Sequence, residues 1–218
     1  MSTLASGMLS DRTKQRMIDR LIQHGIKHPK VLKAMAQVPR HFFVDEALAT
    51  MAYDDKSLPI GYGQTISQPY TVARMTEMLF TPNMPRKVLE IGTGCGYQSA
   101  ILLASGVTEV YSIERLATML HLAKQNLRRA RLTTVRLVHQ DGHEGLPEVA
   151  PFDGILITAA IKNISNALLD QLSNNGRLIA PIGEATQQYL WCFEKSGQTI
   201  QKTCVEMVNF VLMIAGKA

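Results

Sequence analysis

The sequence predicts an α/β fold: an open, doubly wound and mostly parallel sheet of seven strands, preceded by helices. Two observations lead to this prediction. From residue 86 onward, short runs rich in β-branched residues alternate with stretches of helical periodicity, a pattern typical of parallel strands joined by helices. The last two apolar runs are separated by too few residues for a helical crossover, so the C-terminal strand pair should be antiparallel.

The N-terminal third is predicted to be helical. Ser10 or Asp11 is suited to cap a first helix, which should end at Gly25. Pro29 is suited to the first turn of a second helix. We expect a helical segment at residues 1–62 that packs on a main domain at residues 63–218, the two forming one compact unit.

The strands and helices of the main domain follow from the apolar runs. The predicted strands are KVLEI (87–91), EVYSI (109–113), VRLVH (135–139), DGILIT (153–158), RLIAPI (177–182), QYLWCFE (188–194) and EMVNFVLMI (206–214). Helices are predicted within 97–105, 115–130 and 164–173. Ligands of such a sheet bind beyond the carboxyl ends of its strands.

Composition and charge narrow the class of protein. The apolar runs are shorter than the ~20 residues that span a bilayer, and the N-terminus lacks a signal-peptide core, so we expect a cytoplasmic protein without a membrane partner. The net charge of +5 would suit nucleic acid, but the densest basic run, 124–136, is interpreted as a solvated helix face. We therefore expect no stable nucleic-acid partner. No exposed apolar strip is evident, so a monomer is expected.

Cysteine and histidine placement argues against a metal site. Cys95, Cys192 and Cys204 are odd in number and far apart, which indicates neither a disulfide framework nor a zinc site. His139 and His143 flank Asp141 at alternating positions, as ligands on one face of a strand would. No further His or Cys lies near them in the sequence, so we expect no bound metal.

A glycine-rich segment, VLEIGTGCGYQSA, follows the first predicted strand of the sheet. Its glycines allow a tight turn from strand to helix and a close approach of a ligand, although a purely structural turn would use them too. The dinucleotide fingerprint would require a glycine where Tyr97 stands, and the chain has no Walker sequence. The pattern E-x-G-x-G-x-G resembles motif I of the class I S-adenosylmethionine methyltransferases, which implies an adenosyl ligand without a pyrophosphate.

Acidic residues follow the next two strands. Glu114 ends EVYSIE, where a carboxylate can accept hydrogen bonds from both ribose hydroxyls. The alternative is an exposed glutamate paired with Arg115. In HQDGHEG, Asp141 can bond an adenine amino group and Gly142 leaves room for the ring.

The stretch PIGYGQTISQPY (59–70) is predicted to be a polar loop that contains neither a core strand nor a helix before Pro69. Together with other segments, it resembles the protein-L-isoaspartate O-methyltransferases over nearly the whole chain. The segments that support the resemblance are VPRHFFV (38–44), LPIG (58–61), GQTISQPY (63–70), LEIGTG with GYQ (89–98) and PFDGILITAA (151–160).

The resemblance implies a Rossmann-like methyltransferase sheet and a protein-repair enzyme. Such an enzyme moves a methyl group from S-adenosyl-L-methionine to the free α-carboxylate of an isoaspartyl residue in a damaged protein or peptide, leaving S-adenosyl-L-homocysteine. A carboxylate is already anionic at pH 7, so no general base is required. The site must instead orient the two reactants in a partly dry pocket.

The resemblance also implies roles for particular residues. Ser67 is the expected catalytic residue, as an orienting hydroxyl and not as a covalent nucleophile. The cofactor is expected to contact Thr65, Ile66, Gln68, Glu90, Gly92, Thr93, Gly94, Gly96, Tyr97, Glu114, Arg115, Asp141 and Gly142. The isoaspartyl substrate is expected to contact Ile60, Gly61, Gln64 and Val211. The alternative for Ser67 and Thr65 is that they cap the helix opened by Pro69.

Several positions depart from the family pattern. Cys95 replaces a serine of the glycine loop, residues 161–164 replace prolines, and Asn209 and Leu212 replace an arginine and a proline. Two other functions therefore stay open. One is methyl transfer to another acceptor, such as RNA or a small molecule. The other is cofactor binding without turnover.

Overall fold

A seven-stranded sheet forms the centre of the structure, a computed structural model that describes the backbone of residues 2–218 and the side chains of residues 11–218. The helices are α1 (Ser2–Gln23), α2 (Pro29–Gln37), α3 (Pro69–Phe80), α4 (Tyr97–Ala104), α5 (Ala117–Arg129) and α6 (Asn166–Asp170). The strands are β1 (Leu58–Gly61), β2 (Gln64–Ile66), β3 (Lys87–Ile91), β4 (Glu109–Glu114), β5 (Arg136–His139), β6 (Phe152–Ile157), β7 (Leu172–Glu184), β8 (Gln187–Ser196) and β9 (Thr199–Val208).

The sheet has the strand order β5-β4-β3-β6-β7-β8-β9. Strands β3 to β7 run parallel, whereas β8 is antiparallel to both of its neighbours. Side chains of β3 alternate between two buried clusters: Val88 packs with residues of α1 to α4, and Leu89 packs with Leu168 of α6. The predicted doubly wound sheet is confirmed. Its order reverses between β3 and β6, which opens a crevice at their carboxyl ends.

The first helix begins earlier than predicted. Helix α1 already includes Ser2, so a start at Ser10 or Asp11 is wrong. The residues before Ser10 contain no proline and include several good helix formers, which explains the extension. The other two boundaries are confirmed: Gly25, with φ of 92°, follows the end of α1, and Pro29 is the first residue of α2.

The stretch at 59–70 is more ordered than the predicted loop. Strands β1 and β2 form an antiparallel hairpin apart from the seven-stranded sheet, a feature that was not predicted. Gly61, Tyr62 and Gly63 adopt positive φ values of 90°, 52° and 68°, which close the turn. Two of these three are glycines, which adopt this conformation without steric cost. The predicted boundary between residues 62 and 63 falls within this turn and stays a prediction.

The last strand lies earlier in the chain than predicted. Strand β9 covers Thr199–Val208, not 206–214, because the chain turns sharply at Gly197, with φ of 59°, and pairs Ser196 with Thr199. Beyond Val208 the chain leaves the sheet edge. Residues 209–218, hereafter the C-terminal tail, run back across the carboxyl ends of the parallel strands.

The N-terminal segment and the sheet share one buried cluster. Met17 and Leu21 of α1 belong to the same cluster as Val88 and Val110 of the sheet. Across the part of the chain that the structure describes, no helix is both long and apolar enough to cross a membrane.

Candidate functional site

The glycine loop after β3 is held by the neighbouring strand. The backbone N–H groups of Gly92 and Thr93 both donate to the carbonyl oxygen of Ile113, at 2.9 and 3.0 Å. Gly92 has φ of 101°, and a Cβ there would overlap Thr158 Oγ1. Gly96, with φ of 89°, precedes the first residue of α4. The loop therefore requires glycine for its backbone shape and for the close approach of β6.

Glu114, the last residue of β4, is tied to this loop through its carboxylate. One oxygen accepts from Gly94 N at 2.9 Å and the other accepts from Leu116 N at 3.0 Å. The residue is only 7% exposed. Each carboxylate oxygen has a second lone-pair site, so these bonds fix its orientation and leave it able to accept from a ligand. The alternative of an exposed glutamate is wrong.

Glu90 lies beneath the loop and is fully buried. Its Oε2 accepts from the hydroxyls of Ser99 and Ser112. Its Oε1 is buried without a hydrogen-bond partner among the described residues. Burial raises the pKa of Glu90 to about 8 against the opposing effect of the two hydroxyls. At pH 7 this carboxyl group is therefore mainly protonated, and a cation bound beside it would favour its ionised form.

Three connected compartments surround these residues. The central compartment is lined by Glu90 and Glu114, by the glycine loop, and by residues of β2, α3, the start of α4, the end of β6 and the C-terminal tail. Apart from the two glutamates, the lining residues are Gln64, Thr65, Ile66, Ser67, Val72, Met75, Gly92, Thr93, Gly94, Cys95, Tyr97, Gln98, Thr158, Ala159, Phe210 and Val211. It shares Gln64, Gly92, Glu114 and Ala159 with an apolar compartment. It shares Thr65, Ser67, Thr158, Phe210 and Val211 with an open groove.

The apolar compartment lies beyond Glu114. Its walls are mainly aliphatic and come from β3, β4 and the C-terminal tail: Ile91, Ile113, Leu116, Leu212, Met213 and Ile214, with Arg115 and Gly142. At Gly142, a Cβ would overlap the side chain of Ile91, so only glycine fits there. These aliphatic walls can pack against the faces of a flat ring system.

The open groove lies on the opposite side of the central compartment. Polar and charged side chains form much of its wall: Ser57, Gln68, Tyr70, Thr71, Arg74 and Glu206. Glu206 accepts from Tyr70 Oη at 3.3 Å and from Arg74 Nε at 3.2 Å. A groove with polar and charged walls suits a peptide chain better than a small apolar ligand.

Ser67 lies where the central compartment meets the open groove. Its hydroxyl has no hydrogen-bond partner among the side chains and backbone described. It does not cap α3: the helix begins after Gln68, which makes no side-chain cap, and the Tyr70 N–H is bonded by Asp55 Oδ1 at 2.9 Å. The alternative that Ser67 or Thr65 serves as a helix cap is therefore wrong.

The C-terminal tail forms part of the wall of both the central and the apolar compartments. The Gln188 side chain donates to Phe210 O at 3.0 Å and accepts from Phe210 N at 2.6 Å. Farther along, Ala160 N donates to Val211 O, and Met213 N donates to Ala160 O, both at 2.8 Å. These bonds place Val211 on the central compartment and Met213 on the apolar one.

Asp141 has a different setting from the other predicted cofactor residues. Oδ1 accepts from His143 N and Nδ1, and Oδ2 accepts from Gly216 N in the C-terminal tail. Burial opposes the ionised form, but these bonds outweigh it and lower the pKa of Asp141 to about 2. Its side chain anchors the tail and does not line any of the three compartments. Within residues 11–218, no group of three His, Cys, Asp or Glu side chains is arranged to hold a metal.

Most of the predicted residues are brought together. The exceptions are four residues that do not line the compartments: Ile60, Gly61, Gly96 and Asp141. Ile60 nevertheless lies close to Gly94 of the loop. Among the residues that line the compartments, Thr158, Ala159, Phe210, Met213 and Ile214 were not predicted from the sequence. Thr158 and Ala159 follow β6 directly, and their place after a predicted parallel strand was the available signal.

Comparison with known proteins identifies the family. The family model described as Protein-L-isoaspartate(D-aspartate) O-methyltransferase (PCMT) matches residues 12–218. The chain is 60% identical over 213 residues to the protein-L-isoaspartate O-methyltransferase of Chromobacterium violaceum, covering 98% of this chain and 95% of that protein. It is 51% identical to the enzyme of the same name from Halorhodospira halophila, covering 97% and 96%. The chain belongs to the protein-L-isoaspartate(D-aspartate) O-methyltransferase family.

A solved structure supports the assignment. A Plasmodium falciparum protein described as a protein-L-isoaspartate O-methyltransferase, in complex with S-adenosyl-L-homocysteine, is 25% identical to this chain. The two align with a TM-score of 0.81 over 91% of this chain and 97% of that one.

The departures from the expected family pattern lie at the edges of the site. Cys95 is buried in the wall of the central compartment, and burial raises the pKa of its thiol to about 11. Asn209 lines the open groove and Leu212 lines the apolar compartment. Ile161 pairs with Pro181 and Gly183 through backbone bonds at 3.1 Å, which take the chain back toward β7. None of these positions supplies a charge to the site.

Proposed function

We propose that the protein transfers a methyl group from S-adenosyl-L-methionine to the free α-carboxylate of isoaspartyl residues in damaged proteins and peptides. The observation that carries this proposal is the junction of the three compartments. The central compartment, which contains Glu90 and Glu114, adjoins the apolar compartment on one side. At Ser67 it meets the open groove, which can hold a peptide. Family membership over residues 12–218 agrees with this assignment.

The compartments fit the parts of the cofactor. Glu114 stands between the central and apolar compartments, where its free lone pairs can accept from two ribose hydroxyls. The apolar compartment, with Gly142 in its wall, suits the adenine ring. Glu90, with a buried Oε1 that lacks a partner among the described residues, suits the cationic methionine arm. The remaining cofactor contacts are assigned to the β2 and glycine-loop residues that line the central compartment.

The residue types at the junction suit methyl transfer to a carboxylate. When bound, S-adenosyl-L-methionine supplies a methyl group on a positively charged sulfur, and transfer to a carboxylate oxygen leaves a neutral thioether and a neutral ester without proton movement. The side chains shared by the central compartment and the groove do not titrate near pH 7. A base is therefore unnecessary, and the protein contributes orientation and partial exclusion of water.

Ser67 is proposed to orient the acceptor. Its hydroxyl lines both compartments and is not used by the fold, so it is able to donate to the acceptor carboxylate. Gln64 and Val211, which line the central compartment, and the hairpin residues Ile60 and Gly61 are proposed to guide the peptide. Asp141 is proposed to act indirectly, by anchoring the tail that forms one wall of the apolar compartment.

We further propose that the protein acts as a cytoplasmic monomer without a stable nucleic-acid or membrane partner. Its three cysteines are free, which is compatible with a reducing compartment. The helical segment at 1–62 and the main domain at 63–218 are proposed to act as one unit, because they share a buried cluster.

A labelling assay with two matched peptides tests the proposed function. Cofactor labelled on its methyl group is incubated with the protein and with a peptide in either its isoaspartyl or its aspartyl form. We expect labelling of the isoaspartyl form only, as an ester that releases methanol in base. A base-stable product, or equal labelling of both forms, would indicate another acceptor. Cofactor binding without labelling would indicate a disabled site.

A further inference from the structure

Arg40 is a fully buried arginine beside the site. It has no exposed surface, and its guanidinium reaches two carbonyl oxygens: Nε donates to Ala52 O and Nη2 donates to Ser67 O, each at 2.7 Å. The third nitrogen, Nη1, is buried without a partner among the described residues. The guanidinium carbon lies 4.7 Å from the centre of the Tyr97 ring.

The guanidinium of Arg40 forms no ion pair with a carboxylate of residues 11–218. None of the ion pairs found in the described part of the chain includes it. A buried cation without a carboxylate is costly, because carbonyl oxygens and an aromatic face replace its hydration only in part. Consistent with this, burial lowers the pKa of Arg40, although the guanidinium stays charged at neutral pH.

Arg40 connects two parts of the site. Ser67 lines both the central compartment and the groove, and Tyr97 opens helix α4 at the end of the glycine loop. The described lining of the central compartment includes no Lys, Arg or His, but it includes the acidic residues Glu90 and Glu114. An acceptor carboxylate entering this compartment therefore meets no cationic side chain in its lining, and Arg40 lies directly behind the residue that is proposed to receive it.

We propose that Arg40 is a positioning residue for methyl transfer: it fixes the Ser67 peptide group and so directs the Ser67 hydroxyl toward the acceptor carboxylate. This inference rests on the proposed function. It differs from a role in folding, because the effect of Arg40 on turnover must pass through Ser67. Two donors in one plane are needed to hold both Ala52 O and Ser67 O, which an arginine provides and a lysine does not.

A double-mutant cycle tests the coupling. Arg40→Lys and Arg40→Gln are each made in the wild-type and in the Ser67→Ala background. Turnover of the isoaspartyl peptide is divided by the number of cofactor-binding sites, which calorimetric titration measures. Unfolded protein then does not affect the calculated kcat. In the wild-type background we expect kcat to fall about 10- to 100-fold, more for Gln than for Lys, with little change in cofactor affinity. In the Ser67→Ala background the same substitutions should lower kcat by less than about 3-fold.

Arg20→Lys provides a matched control. Arg20 is another arginine of the N-terminal segment that donates to a carbonyl, that of Tyr53, and it lines none of the three compartments. Its substitution should leave kcat per binding site unchanged in both backgrounds.

Three results would overturn the inference. One is an equal loss of kcat in both backgrounds, and another is a loss of cofactor affinity as large as the loss of kcat. The third is failure of both Arg40 variants to bind cofactor at all, which would assign Arg40 to the fold. If Ser67→Ala alone left kcat unchanged, the role proposed for Ser67 would fail as well. Methylation of the isoaspartyl peptide by the wild-type protein is a separate result, on which the proposed function stands or falls.

Discussion

Two walls of the site are built in different ways. The strand wall consists of the ends of β3, β4 and β6, where the glycine loop is bonded to the carbonyl oxygen of Ile113 and to the Glu114 carboxylate. The opposite wall consists of residues 64–68 and the C-terminal tail. Besides the pairing of β2 with β1 and the backbone bonds of Ala160 to the tail, this wall is held by single side chains that reach backbone atoms: Arg40 at Ser67, Gln188 at Phe210 and Asp141 at Gly216.

The difference separates two tasks. The strand wall belongs to the sheet, so its geometry is as stable as the fold, and it carries the residues assigned to the cofactor. The opposite wall can change by loss of one side chain without disturbing the sheet, and it carries Gln64, Ser67 and Val211, which are assigned to the acceptor, next to further cofactor contacts. Substitutions in the strand wall should therefore affect stability and cofactor affinity, whereas those opposite should affect turnover.

Gly92→Ala should have the largest effect on stability and cofactor binding, because it adds a methyl group where the strand wall has no space for one. A Cβ there would overlap Thr158 Oγ1 on a backbone with φ of 101°. We expect a loss of unfolding free energy on the order of 2–4 kcal/mol, measured by urea denaturation, and loss of measurable cofactor binding. Gly63→Ala is the control: its φ is 68° but nothing lies within 4 Å, so only about 1–2 kcal/mol should be lost.

Glu114→Leu should weaken cofactor binding while the sheet persists. Two charge-assisted hydrogen bonds to ribose hydroxyls would disappear, and the two backbone N–H groups that the carboxylate now accepts from would lose a partner. We expect the cofactor Kd, measured by calorimetry, to rise roughly 10- to 100-fold. Glu109→Leu, at the half-exposed start of the same strand, should leave the cofactor Kd unchanged. Unchanged affinity in a folded Glu114 variant would refute the ribose assignment.

Gln188→Met should affect the opposite wall alone. The substitution removes both bonds to the Phe210 backbone and leaves its buried N–H and carbonyl groups unpaired. We expect kcat/KM for the isoaspartyl peptide to fall roughly 10-fold, with a much smaller change in cofactor Kd. Gln187→Met, on an exposed neighbour, should have no effect. If the Gln188 variant lost cofactor affinity and peptide turnover equally, the two walls would not be separable.

Glu90→Gln should change the pH dependence of stability. The pKa of Glu90 is about 8 in the folded protein against a usual 4.5, so above pH 4.5 the unfolded chain releases a proton that the folded chain keeps. The contribution of this group to the free energy of unfolding is present below pH 4.5 and is lost as the pH rises through 8.

Gln resembles the protonated form, since its amide oxygen can still accept from Ser99 and Ser112. The melting temperature of the variant should therefore match that of the wild type near pH 4.5 and exceed it by about 10 °C near pH 9. Parallel pH profiles of the two proteins would contradict this account of Glu90.

The sequence was informative in the strand wall because local rules suffice there. An apolar run followed by E-x-G-x-G-x-G, and an acidic residue one strand later, define both the turn and Glu114. The opposite wall depends on contacts between distant parts of the chain. No local sequence pattern indicates that the Gln188 side chain bonds the Phe210 backbone, 22 residues away, or that Gly216 N donates to Asp141, 75 residues away. Strand β9 was misplaced for a related reason: the turn at Gly197 outweighed the apolar run that follows Val208.

Ser67→Ala is the most direct test of the proposal that this junction performs methyl transfer to a carboxylate. Melting temperature, cofactor affinity and turnover of the isoaspartyl peptide are measured on the same preparation. The Ser67 hydroxyl makes no hydrogen bond among the described residues, and Asp55 bonds the first turn of α3, so stability should be nearly unchanged. We predict that kcat falls about 10- to 1,000-fold while cofactor affinity changes far less. A variant that is less stable but fully active per folded molecule would contradict the assignment of Ser67 to the reaction.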